Sequence, residues 1–152
     1  MAIYLVQHGK SLPEDVDPEK GLALEGKEET VRVASMARDN GVHVSIIKHS
    51  GKKRARQTAE IIASILAPKP LVEETQGLDP LDDVKILAKT LTKEQDLMLV
   101  GHLPFMQRLL SYLVTGSDDR PVFKFQNSGI LCLDMDDKGR WLIKWAIMPV
   151  ID

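Results

Sequence analysis

Three short, mostly apolar runs set the strongest limit on how this chain can fold: "IYLV" at 3–6, "VSIIK" at 44–48 and "DLMLVGH" at 96–102. A strand with one wet face alternates apolar and polar residues. These runs barely alternate, which suits strands covered on both faces, as in a parallel sheet between two layers of helices. The segments between them carry helical spacing. Val31, Ala34 and Met36 predict a helix over 22–40, with Gly41 as its stop. Ile61, Ile62, Ile65 and Leu66 predict another over 51–67, with Ser50 as N-cap and Pro68 and Pro70 beyond its end. A short strand near 71–73 follows, then a helix over 80–91 carried by Leu81, Val84, Leu87, Ala88 and Leu91. "LPFMQRLLSYLVTG" predicts a helix after the third run, with Pro104 in its first turn. Past Gly116 the pattern turns to β: "VFKF", "GILCLDM" and "WLIKWAI", with "DDKG" as a hairpin turn between the last two. Together these elements predict one domain over 1–152. Its architecture is a three-layer α/β/α sandwich with a mostly parallel central sheet and C-terminal antiparallel strands.

Several function classes are set aside at this level. The 152 residues carry a net charge of −2, so no basic field points to nucleic acid. No window reaches the roughly 18–20 apolar residues of a membrane span, and no membrane partner is expected. The opening "MAIYLVQHGK" has neither a basic leader nor a long apolar core, so a cytoplasmic location is expected. The one cysteine, Cys132, lies in an apolar run and reads as a core residue that suits a reducing compartment. The polar, proline-containing stretch at 11–21 reads as a surface loop. Nothing in the sequence sets the oligomeric state.

In sheets of this kind ligands bind beyond the carboxyl ends of the strands, and three such ends carry chemistry. The first presents Gln7-His8-Gly9-Lys10-Ser11, the second Lys48-His49-Ser50-Gly51-Lys52-Lys53-Arg54, and the third Gly101-His102. Arg54 falls in the first turn of its helix, where exposed N–H groups favour anions and cations are locally disfavoured. An anionic ligand resolves that conflict, and phosphate suits the planar guanidinium fork. Lys52 and Lys53 read as a solvated basic turn. His8 and His102, each at a strand-to-loop step beside a glycine, lack a carboxylate or cysteine partner at metal-ligand spacing, so no metal or cofactor is expected. His43 and His49 read as surface residues, His49 as a rim contact.

With these residues assembled, the chain resembles the histidine phosphatase (phosphoglycerate mutase-like) superfamily, and within it the SixA-type phosphohistidine phosphatases. Gln7-His8-Gly9 resembles the family's Arg-His-Gly signature, Leu22 to Gly26 its Leu-Thr-x-x-Gly segment, and Ser50 through "KRARQTA" its Ser-x-x-x-Arg-Ala-x-Gln-Thr-Ala segment. "LVGHLP" resembles the strand that ends in the second catalytic histidine. The chain departs from the family at two points: Gln7 stands for arginine and Ala23 for threonine.

The resemblance implies that His8 attacks phosphorus and forms a phosphohistidine that water then hydrolyses. It implies Arg54 and His102 as catalytic partners, and Gln7, Gly9 and Ser11 with them as phosphate-binding residues. A protonated His102 is expected to offset the missing arginine in part. Asp82 and Asp83 are candidates for a general acid, with helix capping as their other reading. The leading substrate is a phosphorylated protein of the histidine-phosphotransfer type, whose imidazole leaving group needs little acid help. A small phosphate ester is the alternative substrate. A catalytically weak phosphoprotein-binding relative is the alternative class, because Gln7 drops a charge that arginine would supply.

Overall fold

The computed structural model describes residues 2–91 and 96–151. Strand β1 (Ala2–Gln7) is buried on both sides, as its unbroken apolar run requires. Its alternate residues feed two separate cores. Tyr4 and Val6 join Ile47, Met98 and Val100 under helices α1 (Leu24–Asp39) and α2 (Lys53–Ile65). Ile3 and Leu5 join Leu97, Leu99 and Leu131 against α3 (Val84–Ala88) and α4 (Phe105–Thr115). Burying each large side chain of this kind is worth about 1.5–3 kcal/mol, and two filled faces give the three layers.

The sheet has the order β3-β2-β4-β1-β5-β6, where β2 is Ile46–His49, β3 Leu71–Glu74, β4 Leu97–Gly101, β5 Ile130–Met135 and β6 Trp141–Ile147. β1, β2, β3 and β4 run parallel, and β5 and β6 add as antiparallel neighbours on the far side of β1. The crossovers from β1 to β2 to β3 run one way across the sheet and the return to β4 runs the other. Right-handed crossovers in opposite directions place their helices on opposite faces. That rule puts α1 and α2 on one side and α3 on the other, and α4, which leads into antiparallel β5, packs beside α3 in the same core.

Several local expectations are corrected. "VFKF" at 122–125 is not a strand. Both edges of β1 are already taken by β4 and β5, so the segment reaches the sheet only through a bridge between Asn127 and Gln7. Its apolar content is spent instead on Phe125, buried against the α4 core with Phe123 edge-on at 5.5 Å. On α1 the buried face is Gly26, Glu29, Thr30, Val33, Ala34 and Ala37, while Val31 and Met36 are exposed. The helix over 80–91 shrinks to Val84–Ala88, leaving Leu81 on the surface. Ser50 does not cap α2, whose N-cap is Lys52. No described helix is long and apolar enough to cross a membrane.

Candidate active site

Strand register gathers the chemistry. Gln7 pairs with Gly101 and His49 with Val100, so the three strands end together. His8 and His102 leave the sheet on the α1/α2 side, with ring centroids 5.0 Å apart. The His8 N–H donates to the Gly101 carbonyl at 2.9 Å, which ties the two strand ends across this gap.

The His8 ring is held by its own neighbour. Nδ1 lies 2.7 Å from the Gly9 carbonyl oxygen. A carbonyl can only accept, so Nδ1 carries the proton and Nε2 keeps its lone pair, the state a nucleophile needs. Burial lowers the pKa of His8 below its ordinary 6.5, and the Arg54 charge adds to this, while the Gly9 carbonyl opposes it. The ring is therefore neutral at pH 7.

A second tier fixes this loop. The Gly9 N–H donates to Thr58 Oγ1 at 2.9 Å, and the Thr58 hydroxyl donates to the Arg54 carbonyl at 2.7 Å. Asn127 Nδ2 donates to the His8 carbonyl at 2.8 Å, and the Ser128 N–H to that of Gln7 at 2.9 Å. The Ser128 and Thr30 hydroxyls meet at 2.7 Å, and Thr30 donates to the Gly26 carbonyl. A Cβ on Gly9 would lie 3.0 Å from Ser128 Oγ and 3.1 Å from Leu22 and Thr30. The loop passes through a space that suits a glycine. Thr58, Asn127 and Ser128 were not among the residues the sequence singled out. Their signals were slight: a hydroxyl on the apolar face of α2, and two polar residues just ahead of the β5 run.

His102 is almost wholly buried, with Nε2 2.6 Å from Ser50 Oγ and Nδ1 without a partner. Burial first, then the cationic influence of His8, Arg54 and Lys52, holds its pKa down to about 3. The expectation of a protonated His102 is thereby corrected: the ring is neutral at pH 7. Arg54, half-buried in the first turn of α2, makes no ion pair among the described residues and stays cationic. Gln7 has its Oε1 buried without a partner.

The remaining candidates lie further out. Ser11 bridges to Leu22 at the edge of the loop. Asp82 accepts the Asp79 N–H at 2.9 Å, and Asp83 caps α3 through the Lys85 N–H at 2.9 Å. With Ser50 and Glu74 they line a cavity of about 400 Å³. His43 is exposed near Asp96, but His49 is buried, with Nδ1 accepting the Gly51 N–H at 3.0 Å, and so is no rim residue. Among the described residues no cluster of three or more histidine, cysteine or acidic side chains could hold a metal.

A parallel sheet extended by antiparallel strands, with two histidines and an arginine converging at its strand ends, has the phosphoglycerate mutase-like fold. The protein histidine phosphatase SixA, solved in complex with tungstate, superposes with a TM-score of 0.84 over 98% of this chain and 97% of its own, at 22% identity. A candidate phosphohistidine phosphatase SixA from Agrobacterium tumefaciens gives 0.78 at 25% identity, covering 97% of each chain. A phosphoglycerate mutase from Plasmodium falciparum gives 0.67 at 22% identity, over 95% of this chain and 88% of its own. An uncharacterized protein of Picosynechococcus sp. PCC 7002 is 34% identical over 113 residues, 68% of this chain and 67% of that protein. No protein-family model matches the sequence. The chain has the fold of the histidine phosphatase superfamily, with strong structural matches to SixA phosphohistidine phosphatases among its members.

Proposed function

We propose that this protein is a metal-independent phosphatase that removes the phosphoryl group from phosphohistidine on a partner protein, through a covalent intermediate at His8. The observation that carries the reading is the Nδ1 contact to the Gly9 carbonyl, which leaves Nε2 as a free nucleophile at pH 7. Nε2 forms a bond to phosphorus as the bond to the partner's imidazole nitrogen breaks. The leaving imidazole takes up a proton, and water then cleaves the new phosphohistidine to inorganic phosphate and neutral His8. Arg54 stabilises the equatorial oxygens, where the charge of the transition state resides. Gln7 offers an amide in place of a charge, and this slows the reaction without removing its nucleophile.

Asp82 and Asp83 both serve as acceptors of backbone N–H groups, which favours a leaving group that needs no acid. Their place on the cavity beside Ser50 is the one feature that favours a small phosphate ester as substrate. The test is release of ³²P from a phosphohistidine-bearing phosphotransfer protein without added metal, by the wild type and by His8→Ala. Release by the wild type that is lost in the variant supports the reading. Equal release by both removes His8 from the mechanism, and no release by either leaves a phosphoprotein binder.

A further inference from the structure

The cations around the strand ends divide into two groups. Lys53 is held by Asp17 at 2.9 Å and Glu19 at 3.7 Å, Arg56 faces Glu60 at 3.8 Å, Lys48 faces Glu73 at 3.6 Å, and Lys10 is held by Glu25 at 2.8 Å. Lys52 and Arg54, which bracket Lys53 at the start of α2, make no ion pair among the described residues. Lys52 is also tied to the histidines by a short path. Its backbone N–H lies 3.4 Å from Ser50 Oγ, which lies 2.6 Å from His102 Nε2, so the main chain from which the ammonium extends is set beside the histidines. Burial is the main reason the His102 ring is neutral, and the Lys52 charge adds to it after those of His8 and Arg54.

We infer that Lys52 is a second cation of the phosphoryl site, acting with Arg54 where Gln7 contributes no charge; the inference rests on the phosphatase reading above. A bound phosphoryl group carries a charge of about −1.5 to −2. His102 is neutral, and Gln7 is an uncharged amide, which offers a donor but no counter-charge. Arg54 alone leaves roughly a third to a half of the phosphoryl charge without a counter-charge. Lys52 is a flexible point charge that needs no fixed fork geometry, and its exposed ammonium can close on the oxygens once the anion is seated. Lys53, one residue on, cannot do so without giving up Asp17.

The experiment measures the dissociation constant for tungstate on the full chain at pH 7, with phosphohistidine turnover in parallel. Lys52→Ala weakens tungstate about 10–100-fold, the worth of a charge-assisted hydrogen bond. Lys52→Arg restores most of that loss, and Lys53→Ala stays within about twofold of wild type. In a Gln7→Arg background the cost of Lys52→Ala shrinks, because the two cations then share the work. Lys52→Ala within twofold of wild type, while Arg54→Ala weakens tungstate, overturns the role of Lys52 and leaves the phosphatase reading standing. Equal losses from Lys52→Ala and Lys53→Ala that vanish at high salt also overturn it, because that is the mark of a screened surface field. Failure of the wild type to bind tungstate overturns the phosphatase reading and this inference together.

Discussion

Thr58 gives the sharpest test of the arrangement behind His8. Its hydroxyl is the acceptor for the buried Gly9 N–H, and Gly9 in turn holds the His8 proton through its carbonyl. Thr58→Val keeps the shape and removes the acceptor. A buried N–H left without a partner costs about 1–3 kcal/mol. For a domain of this size each kcal/mol lowers Tm by about 2–4 °C, so a fall of about 2–12 °C is expected. Thr58→Ser keeps the acceptor and loses one methyl group, worth about 0.8 kcal/mol. Stability alone does not separate the two variants clearly, but activity does. Once the Gly9 peptide is free to tilt, the His8 tautomer is no longer fixed, and misplacing a reacting group can cost up to about 10²-fold in rate. Calorimetry combined with phosphohistidine turnover should show kcat falling at least about tenfold in Thr58→Val and holding in Thr58→Ser. A valine variant with Tm within a degree and kcat within twofold of wild type would refute the reasoning.

Acid should weaken the fold through its histidines. His8, His49 and His102 all have folded pKa values below their unfolded 6.5, so the unfolded chain takes up protons that the folded one refuses. Their stabilisation is complete above pH 6.5 and is lost as pH falls toward the folded values, at up to about 1.4 kcal/mol per pH unit for each group. Urea melts between pH 7 and pH 4 check this, and the slope should lessen in His102→Asn. A stability that is flat across that range contradicts it. Gly26 and Gly129 should differ sharply on substitution by alanine. A Cβ at 26 would lie 2.2 Å from the Lys10 carbonyl oxygen and 2.8 Å from its nitrogen, backbone that cannot yield without moving the His8 loop. Gly26→Ala is expected to cost about 1–3 kcal/mol or more and most of the activity. At 129 the obstacle is the flexible end of Met148, and melting with turnover should find a smaller loss.

Much of this architecture could be read from the chain, and the failures share causes. β1 was legible because four apolar residues in a row suit a strand covered twice, and the same logic found β2 and β4. The segment at 122–125 misled because its β-propensity is real, but both edges of β1, the strand it reaches, are already paired. The face of α1 was misjudged because Glu29 and Thr30 are buried for polar reasons: Thr30 serves the Ser128 contact and Glu29 lies 3.5 Å from Lys10. Periodicity counts apolar residues and cannot see that. Ser50 has the side chain of a cap, and only the register of β2 against β4 brings it to His102 instead. His8, Arg54 and His102 stood out because their types are unusual at strand ends and helix starts. The threonine, asparagine and serine that support them are ordinary in turns and helices, and their roles depend on partners up to 119 positions away.

The central place of β1 also shapes how the chain must be made. Its neighbours on both sides are β4 and β5, and the first contact toward β4, from the Ala2 N–H to Asp96, spans 94 positions. At about 5–20 residues per second, ribosomal synthesis leaves this strand unpaired for several seconds after it emerges. The apolar run that ends at His8 is thus released well before the strands that cover it. Pairings at such sequence separation are slow to form. Production of the protein is therefore governed by what shields residues 2–7 in that interval, and aggregation of nascent chains should begin there.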